Sequence, residues 1–451
     1  MKRSHQSRRT AAQMRALAAV RKEVHSQDST ARSKYLREFS ESFANYDSVL
    51  SEEQVLQEVS SAGIVLIGDY HALPASQRFA SELIEKVARE HKVVLALEAI
   101  LARDQQILNS WWRREIGPDE LRHRLRFDRE WGYPWEPVHD LLNSARDHAE
   151  GVYALDCMPR EDLRRIRTRD RHAALKIREI YQRHPGAIII VLFGESHLAP
   201  QHLPAELSKA LPTEKFVTVL QNLDHIYWNA VGENAAAVSL AEDAICVFNS
   251  SPLEKYESYR LCLERWKTTK DEQQDFTPAI YNLIFSLARS LGFRLDSPQN
   301  GTQPKFLADS LPEVIAVDEV ESADFGLEEK TCRYIPGSNS FAIREFHIAD
   351  AAGECARFVH SACRGMSVAC AQAAEIEQGL ARFGARLLCP EITADPAASP
   401  LGDALYDRYL ANKISKPEMR KLFLSHLETS DQANRTLENI TRLVQWQHSP
   451  A

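Results

Sequence analysis

Two histidines occupy matching places in the sequence, each at the end of a Gly-x-x-His pattern that follows a strand-like apolar run. They are His71 and His197, and a third apolar run between them ends in Glu98. Parallel strands present their carboxyl ends at one edge of a sheet, so we expect these three side chains to lie close together. Imidazole and carboxylate are common ligands of Zn, Mn and Fe. The set therefore predicts a site for a divalent metal or an iron-bearing cofactor.

More carboxylates follow the same apolar runs. The two histidines are 126 positions apart, so only the sheet can bring them together. Glu195 could ligate a metal or act as a general base on metal-bound water. Asp69 and Asp156 occupy analogous strand-end positions, where they could ligate, orient a histidine, or both. The alternative is that such groups only cap strand ends and helix N-termini, but five of them at four strand ends favour a ligand site.

An aromatic loop is the second candidate feature. Trp131, Tyr133 and Trp135 fall between the second and third predicted strands, on the side of the expected site. Their rings could stack on a planar ligand or an apolar substrate, and the alternative is packing against nearby helices. Tyr70, inside the first Gly-x-x-His pattern, could supply a phenolate axial ligand to haem iron or could simply pack at the strand end.

Bulk properties exclude several classes of function. A net charge of -8 argues against a nucleic-acid partner. No stretch approaches the roughly 18 consecutive apolar residues of a membrane span. The sequence has no His-Glu-x-x-His, no Walker-type phosphate loop and no Gly-x-Ser-x-Gly. The eight cysteines are scattered without Cys-x-x-Cys, and no targeting segment is visible. These features favour a cytoplasmic protein with reduced thiols.

Strand-like runs alternate with helical patterns of 10–20 residues in the first half of the chain. This rhythm predicts an α/β fold with a mostly parallel sheet flanked by helices, followed by a largely helical C-terminal extension. The predicted strands are 64–67, 93–97, 152–155, 187–193, 216–220 and 245–248. The predicted helices around the site are 75–90, 103–126, 138–149 and 160–183, with a loop at 127–137.

Three regions are expected along the chain. Residues 1–48 form a basic helical arm, since residues 1–40 carry ten Lys and Arg against three Asp and Glu. Such an arm is a solvated surface or a contact for an acidic partner. Residues 49–250 form the α/β domain, and 251–451 form a helical region with a linker near 293–311.

At these residues the chain resembles the haem-binding uptake/Tiki group, and within it the ChaN-like proteins. The shared pattern is Gly-x-x-His, a strand-terminal Glu and a second Gly-x-x-His. The closer resemblance rests on Gly-Glu-Ser-His-Leu-Ala-Pro-Gln-His-Leu-Pro (194–204), Trp-Gly-Tyr-Pro-Trp-Glu-Pro (131–137), Gln-Asn-Leu-Asp-His-Ile-Tyr-Trp (221–228) and Ser-Pro-Leu-Glu-Lys-Tyr-Glu-Ser-Tyr-Arg (251–260). Together these motifs span roughly residues 60–265.

The resemblance implies an α/β fold with a ligand site at the strand ends, and it leaves two functions open. Some ChaN-like relatives bind haem, whereas Tiki relatives are metal-dependent peptidases and erythromycin esterases are hydrolases. His202, within the second motif, is assigned with Asp156 to a supporting position behind the ligands. Asp69 departs from the ChaN-like pattern, which usually has Glu there. The expected partner is a small-molecule or peptide ligand, and a homodimer is a possible assembly.

Overall fold

The structure is a computed structural model. It describes residues 10–27, 34–158, 166–232, 235–241, 243–266, 274–293, 311–317, 325, 327, 330–364, 368–390 and 399–445. The chain divides into two compact units. The first includes Gln27–Cys262, and the second includes Ser7–Ser26 and Leu263–Ala451. Every residue of the candidate site belongs to the first unit.

The strands of the described residues form one large sheet and one small sheet. The strands are β1 (Ser48–Leu50), β2 (Ile64–Asp69), β3 (Val93–Leu101), β4 (Gly151–Asp156), β5 (Ile188–Gly194), β6 (Phe216–Gln221), β7 (Ala237–Ala241), β8 (Ala244–Val247), β9 (Glu313–Ala316), β10 (Cys332–Ile335) and β11 (Ser340–Ile343). The large sheet has the order β1-β7-β8-β6-β2-β5-β3-β4. Its pairs from β6 to β4, and the β6–β8 pair, are parallel, whereas β7 pairs antiparallel with β1 and β8. The predicted α/β class with a mostly parallel sheet is confirmed.

Helices connect the strands and make up most of the second unit. They are α1 (Ala11–Gln27), α2 (Lys34–Ser42), α3 (Glu52–Ser60), α4 (Pro74–Val87), α5 (Gln105–Trp112), α6 (Pro118–Arg124), α7 (Phe127–Glu130), α8 (Trp135–His148), α9 (Ile166–Arg183), α10 (Leu203–Ala210), α11 (Asp224–Gly232), α12 (Pro252–Arg265), α13 (Thr277–Leu291), α14 (Ile348–Arg364), α15 (Ala371–Leu388), α16 (Pro400–Leu410), α17 (Lys416–Phe423) and α18 (Ser430–Gln445).

Two predictions around the aromatic loop were wrong in detail. The predicted helix 103–126 is broken, because Arg114 adopts a positive φ of 61° and Pro118 begins a new helix, α6. The predicted loop 127–137 contains the short helix α7 and the start of α8, since Pro137 lies in the first turn of α8, where a missing N–H costs nothing. Residues 159–165, within the predicted helix 160–183, lie outside the described residues.

The central strands are buried on both faces, as continuous apolar runs require. In β5, Ile190 and Leu192 join the hydrophobic cluster on one face of the sheet, whereas Ile189, Val191 and Phe193 join the cluster on the other face. This alternation follows the two-residue period of a strand. It leaves the sheet only one place for a polar site, at the strand ends.

The carboxyl ends of β2, β5, β3 and β4 are neighbours in the sheet. In the parallel registers Asp69 is opposite Gly194, and Leu97 is opposite Leu192. The pairing of β3 with β4 becomes irregular after Leu97, in the segment that contains Glu98. Such irregularities redirect side chains and are common next to functional sites.

The second unit combines helices with a small sheet that the sequence analysis did not predict. Its strands β9, β10 and β11 have the order β10-β11-β9. Its core includes the fully buried rings of Phe341, Phe358, Phe383 and Phe423. The eight cysteines of the chain are free thiols. Among the described residues, none of the helices combines the length and the apolar character needed to cross a membrane.

Candidate functional site

The structure brings the two predicted histidines to opposite oxygens of one carboxylate. His71 Nε2 lies 3.7 Å from Glu98 Oε2, and His197 Nε2 lies 3.8 Å from Glu98 Oε1. Both distances exceed those of a hydrogen bond, so each imidazole faces Glu98 without bonding to it. The predicted meeting of the three side chains at one edge of the sheet is present in the structure.

The first histidine is oriented by an aspartate from its own strand. His71 Nδ1 lies 2.8 Å from Asp69 Oδ2, and Gln77 Nε2 donates to Asp69 Oδ1 at 2.6 Å. An ionised carboxylate only accepts, so the Nδ1 atom of His71 donates a proton to Asp69 and the Nε2 atom is the one that faces Glu98. Burial lowers the pKa of His71, but Asp69 and Glu98 outweigh burial and raise it overall. Its side chain is 20% exposed, the most open of the three central groups.

The second histidine has the same arrangement, built from residues that lie far away in sequence. His197 Nδ1 lies 2.5 Å from Asp170 Oδ1, and Tyr35 Oη donates to Asp170 Oδ2 at 3.1 Å. The His197 side chain is only 5% exposed and Asp170 1%. Each histidine therefore belongs to an aspartate–histidine dyad whose aspartate accepts a further hydrogen bond.

Glu98 is held ionised between the dyads by a buried arginine. Arg169 Nη2 donates to Glu98 Oε1, while Arg169 Nε and Nη2 donate to Asp156 at 2.9 and 3.0 Å. The Gly194 amide donates to Glu98 Oε2 at 2.5 Å. Burial alone would raise the pKa of Glu98, but Arg169, His71 and His197 reverse this and hold it at about 2. Asp156 therefore contacts Arg169 directly, and it affects the histidines only through Arg169 and Glu98.

The glycines of both patterns lie where the strand ends approach closely. A Cβ atom on Gly194 would lie 3.1 Å from Glu98 Oε2 and 3.2 Å from His71 Nε2. A Cβ atom on Gly68 would lie 3.2 Å from the Cβ atom of Glu195. Any larger residue at position 194 would fill the space beside Glu98 and His71.

Two of the three predicted loop aromatics reach the site. The Trp131 and Tyr133 rings lie 4.4 and 5.1 Å from the His71 ring, centre to centre. Trp135 does not join them: its ring stacks on His139 and contacts Phe127 edge-on. The loop therefore walls the open side of His71, and Trp135 is part of the core beneath it.

Glu195 and Tyr70, both singled out by the sequence analysis, share one cation. Lys255 Nζ donates to the two Glu195 oxygens at 3.0 and 3.1 Å and lies 4.5 Å from the centre of the Tyr70 ring. Burial raises the pKa of Glu195 although Lys255 acts in the opposite direction. Burial and the Glu195 carboxylate raise the pKa of Tyr70 well above its ordinary value, so the phenol keeps its proton.

His202 lies behind the second dyad. Its Nδ1 atom is 2.8 Å from the Ser196 carbonyl oxygen, and its Nε2 atom is 3.2 Å from Glu38 Oε2. Its ring stacks on Tyr35 with 3.6 Å between ring centres. The structure thus places it beside the support of His197 and away from Glu98.

Sequence reasoning missed five residues of the site: Tyr35, Gln77, Arg169, Asp170 and Lys255. All but Gln77 come from helices that the sheet order, and not the local pattern, brings to the strand ends. For Lys255 a signal existed, because it lies in the stretch 251–260 that carries part of the family resemblance. Tyr35 lies in the basic arm, where no pattern marked it.

The arrangement fits a bound metal ion poorly. Within the described part of the chain, no group of three or more His, Cys, Asp or Glu is placed to hold one. Arg169 already supplies the positive charge that Glu98 and Asp156 need, and a divalent cation at Glu98 would lie against the guanidinium. Repulsion between the two positive charges disfavours a bound cation beside the Arg169 guanidinium.

Tyr70 fits the role of an axial haem ligand poorly. The Tyr70 phenol is protonated beneath Lys255, so it is a poor source of the phenolate that haem ligation needs.

Residues 55–189 match the sequence model of the family described as "Haem-binding uptake, Tiki superfamily, ChaN". The match agrees, over this part of the chain, with the resemblance that the first Gly-x-x-His pattern and Glu98 suggested. The match includes His71 and Glu98 and ends shortly before His197. A comparison with curated proteins finds no match.

Three solved structures are similar to parts of the chain. ChaN of Campylobacter jejuni, described with cofacial heme binding, is 13% identical, with a TM-score of 0.30 over 39% of this chain and 87% of that one. The type III effector HopBA1 is 15% identical, with a TM-score of 0.34 over 46% and 98%. RRSP, a MARTX toxin effector domain from Vibrio vulnificus CMCP6, is 17% identical, with a TM-score of 0.29 over 46% and 44%. At these identities the chemistry of the site has to be argued from its own residues.

Proposed function

We propose that the strand-end site is a hydrolytic centre that transfers protons with its own side chains. One observation carries this proposal: two aspartate-oriented histidines face the opposite oxygens of an ionised glutamate, Glu98, that a buried arginine holds in place. Orientation by an aspartate is what a histidine general base needs. The substrate class is an ester or amide bond of a small molecule or peptide.

His71 is the base that would touch the substrate. It is the more exposed of the two histidines, and in its neutral form, with the Nδ1 proton donated to Asp69, the Nε2 atom can accept a proton. Nε2 would accept a proton from an attacking water and return it to the leaving group. The imidazolium formed in between lies 3.7 Å from Glu98, whose negative charge stabilises it. Trp131 and Tyr133 would limit the access of water on the open side.

His197 and Arg169 would act from the buried side. Arg169 keeps Glu98 ionised and prevents it from taking the proton itself. His197 places a second imidazole 3.8 Å from the other oxygen of Glu98, on the buried side of that carboxylate. Glu195, whose two oxygens bind Lys255, is less available as a base.

The experiment is a hydrolysis screen with chromogenic esters and peptide amides, before and after exhaustive treatment with a chelator. Wild type is compared with His71→Gln, Glu98→Gln and a control, His184→Gln. His184 hydrogen-bonds Tyr153 near Gly151, at the amino end of β4, whereas the site lies at the carboxyl ends of the strands. We expect activity that survives chelation, falls by about 10²- to 10⁴-fold in the two site variants and is retained in the control.

Two outcomes would replace this proposal. Activity that disappears on chelation and returns with Mn²⁺ or Zn²⁺ would favour the metal-dependent hydrolase, with His71, Glu98 and His197 as ligands. A Soret band on adding hemin, absent in His71→Gln and without any hydrolysis, would favour the haem-binding function that the family description suggests. The cytoplasmic location and the homodimer stay predictions from the sequence.

A further inference from the structure

Helix α2 lies outside the family match, yet it reaches the second dyad. It packs on the 3-10 turn Glu195–Leu198, which carries His197. Phe39 on α2, and Phe43 just after it, are buried in the same hydrophobic cluster as Leu198. These apolar contacts anchor the helix independently of the Tyr35 hydroxyl. The one α2 side chain that enters the site, Tyr35, is 9% exposed.

Tyr35 contacts both members of the dyad. Its hydroxyl lies 3.1 and 3.3 Å from the two oxygens of Asp170 and 3.0 Å from His197 Nδ1. Asp170 accepts only, so the phenolic proton and the Nδ1 proton of His197 both point at it. His197 uses Oδ1, at 2.5 Å, and Tyr35 is closest to Oδ2. The hydroxyl therefore opposes rotation of the carboxylate away from the imidazole.

The first dyad shows the same design with a different donor. Asp69 gives one oxygen to His71 and receives Gln77 on the other. Gln77 lies on α4, which directly follows the first motif in the chain. The second dyad has no such neighbour in its own motif, and its donor comes from a helix about 160 residues earlier.

His202 and Glu38 brace the tyrosine ring from behind. The His202 ring stacks parallel to Tyr35, with an angle of 5° between the ring planes. His202 also bridges the Ser196 carbonyl and Glu38 of α2. The position of the hydroxyl is therefore set by the stacked ring and by the backbone of the second motif.

We propose that Tyr35 is a positioning residue of the hydrolytic centre: its hydroxyl locks Asp170 so that His197 presents Nε2 to Glu98. This inference rests on the proposed function and extends the centre to helix α2, which precedes the residues matched by the family model. Without the hydroxyl, the Asp170 carboxylate can rotate, which changes its hydrogen bond with His197 Nδ1. The first dyad is unchanged.

The test compares Tyr35→Phe with a matched control, Tyr181→Phe. Tyr35→Phe removes one oxygen atom and keeps the ring that stacks on His202. Tyr181 also donates to a carboxylate, Glu214, but at a distance from the centre. The readout is the Nδ1-bound proton of each site histidine in full-length protein labelled with ¹⁵N-histidine, assigned by the loss of signals in His71→Gln and His197→Gln.

We expect Tyr35→Phe to shift and broaden the His197 signal, to leave the His71 signal in place, and to lower kcat about tenfold at unchanged KM, the size expected for one lost hydrogen bond. Tyr181→Phe should change neither signal. A His197 signal that is the same in Tyr35→Phe as in wild type would overturn the proposal. If wild type hydrolyses nothing, the proposed function fails, but the spectra still decide the role of Tyr35.

Discussion

Replacing Arg169 by methionine removes the cation that faces two buried carboxylates. The side chains of Arg169, Glu98 and Asp156 are 8%, 3% and 0% exposed. With 2.9 Å between Arg169 Nε and Asp156 Oδ1, the attraction is about 6 kcal/mol at an effective dielectric constant of about 20. Burying the guanidinium offsets much of this, so we expect the first unit to lose about 3–5 kcal/mol when the cation is removed.

Hydrogen exchange measured by mass spectrometry on peptides from β3 is the suitable assay, because a chain with two units need not unfold in one step. The expected loss corresponds to exchange that is about 10²- to 10⁴-fold faster when opening limits exchange. Arg122→Met is the control, since Arg122 makes a two-pronged pair with Asp128 that is largely exposed and worth less than about 1 kcal/mol.

Two results would refute the reasoning about Arg169. One is exchange in Arg169→Met that is no faster than in Arg122→Met. The other concerns the triple variant in which Glu98→Gln and Asp156→Asn are added to Arg169→Met. That variant should regain most of the lost stability, because neutral amides leave no buried charge without a partner. If it is as unstable as the single variant, the cost comes from lost packing.

Two further predictions concern a backbone position and a buried histidine. Gly194→Ala places a methyl group about 3 Å from Glu98 and His71, so hydrolysis should fall sharply and the stability should drop by about 1–3 kcal/mol. The control is Gly117→Ala, which has open space around it and should match wild type. Equal hydrolysis rates in the two variants would contradict the crowding argument. In the second unit, burial lowers the pKa of His360 from 6.5, so the unfolded chain binds the extra proton and wild type should lose stability as the pH falls below about 6.5. Urea unfolding of wild type and His360→Leu at about pH 8 and about pH 5 measures this, and a wild type that is no more acid-sensitive than the variant would rule it out.

Local pattern was sufficient for the strands but not for every helix boundary. Each predicted strand from 64 to 248 is present, because a short apolar run bounded by turn residues is too short for a helix and fits a strand buried on both faces. The helix 103–126 failed at Arg114, whose positive φ the sequence does not reveal, and at Gly117-Pro118, a break signal in the sequence that the prediction did not use. The small sheet of β9, β10 and β11 was not predicted, although its four-residue strands are as long as β8, which was predicted.

The sequence by itself determined the sheet, its polar edge, and the presence of His71, Glu98 and His197 at that edge. Strand period and strand-end position are properties of neighbouring residues, so they can be read without the fold. The tertiary structure alone decided that Arg169 is the counter-ion of Glu98 and that Asp170 and Tyr35 complete the second dyad. These residues lie on helices whose rotation about their axes depends on long-range packing, and about half a turn more or less would point their side chains away from the site.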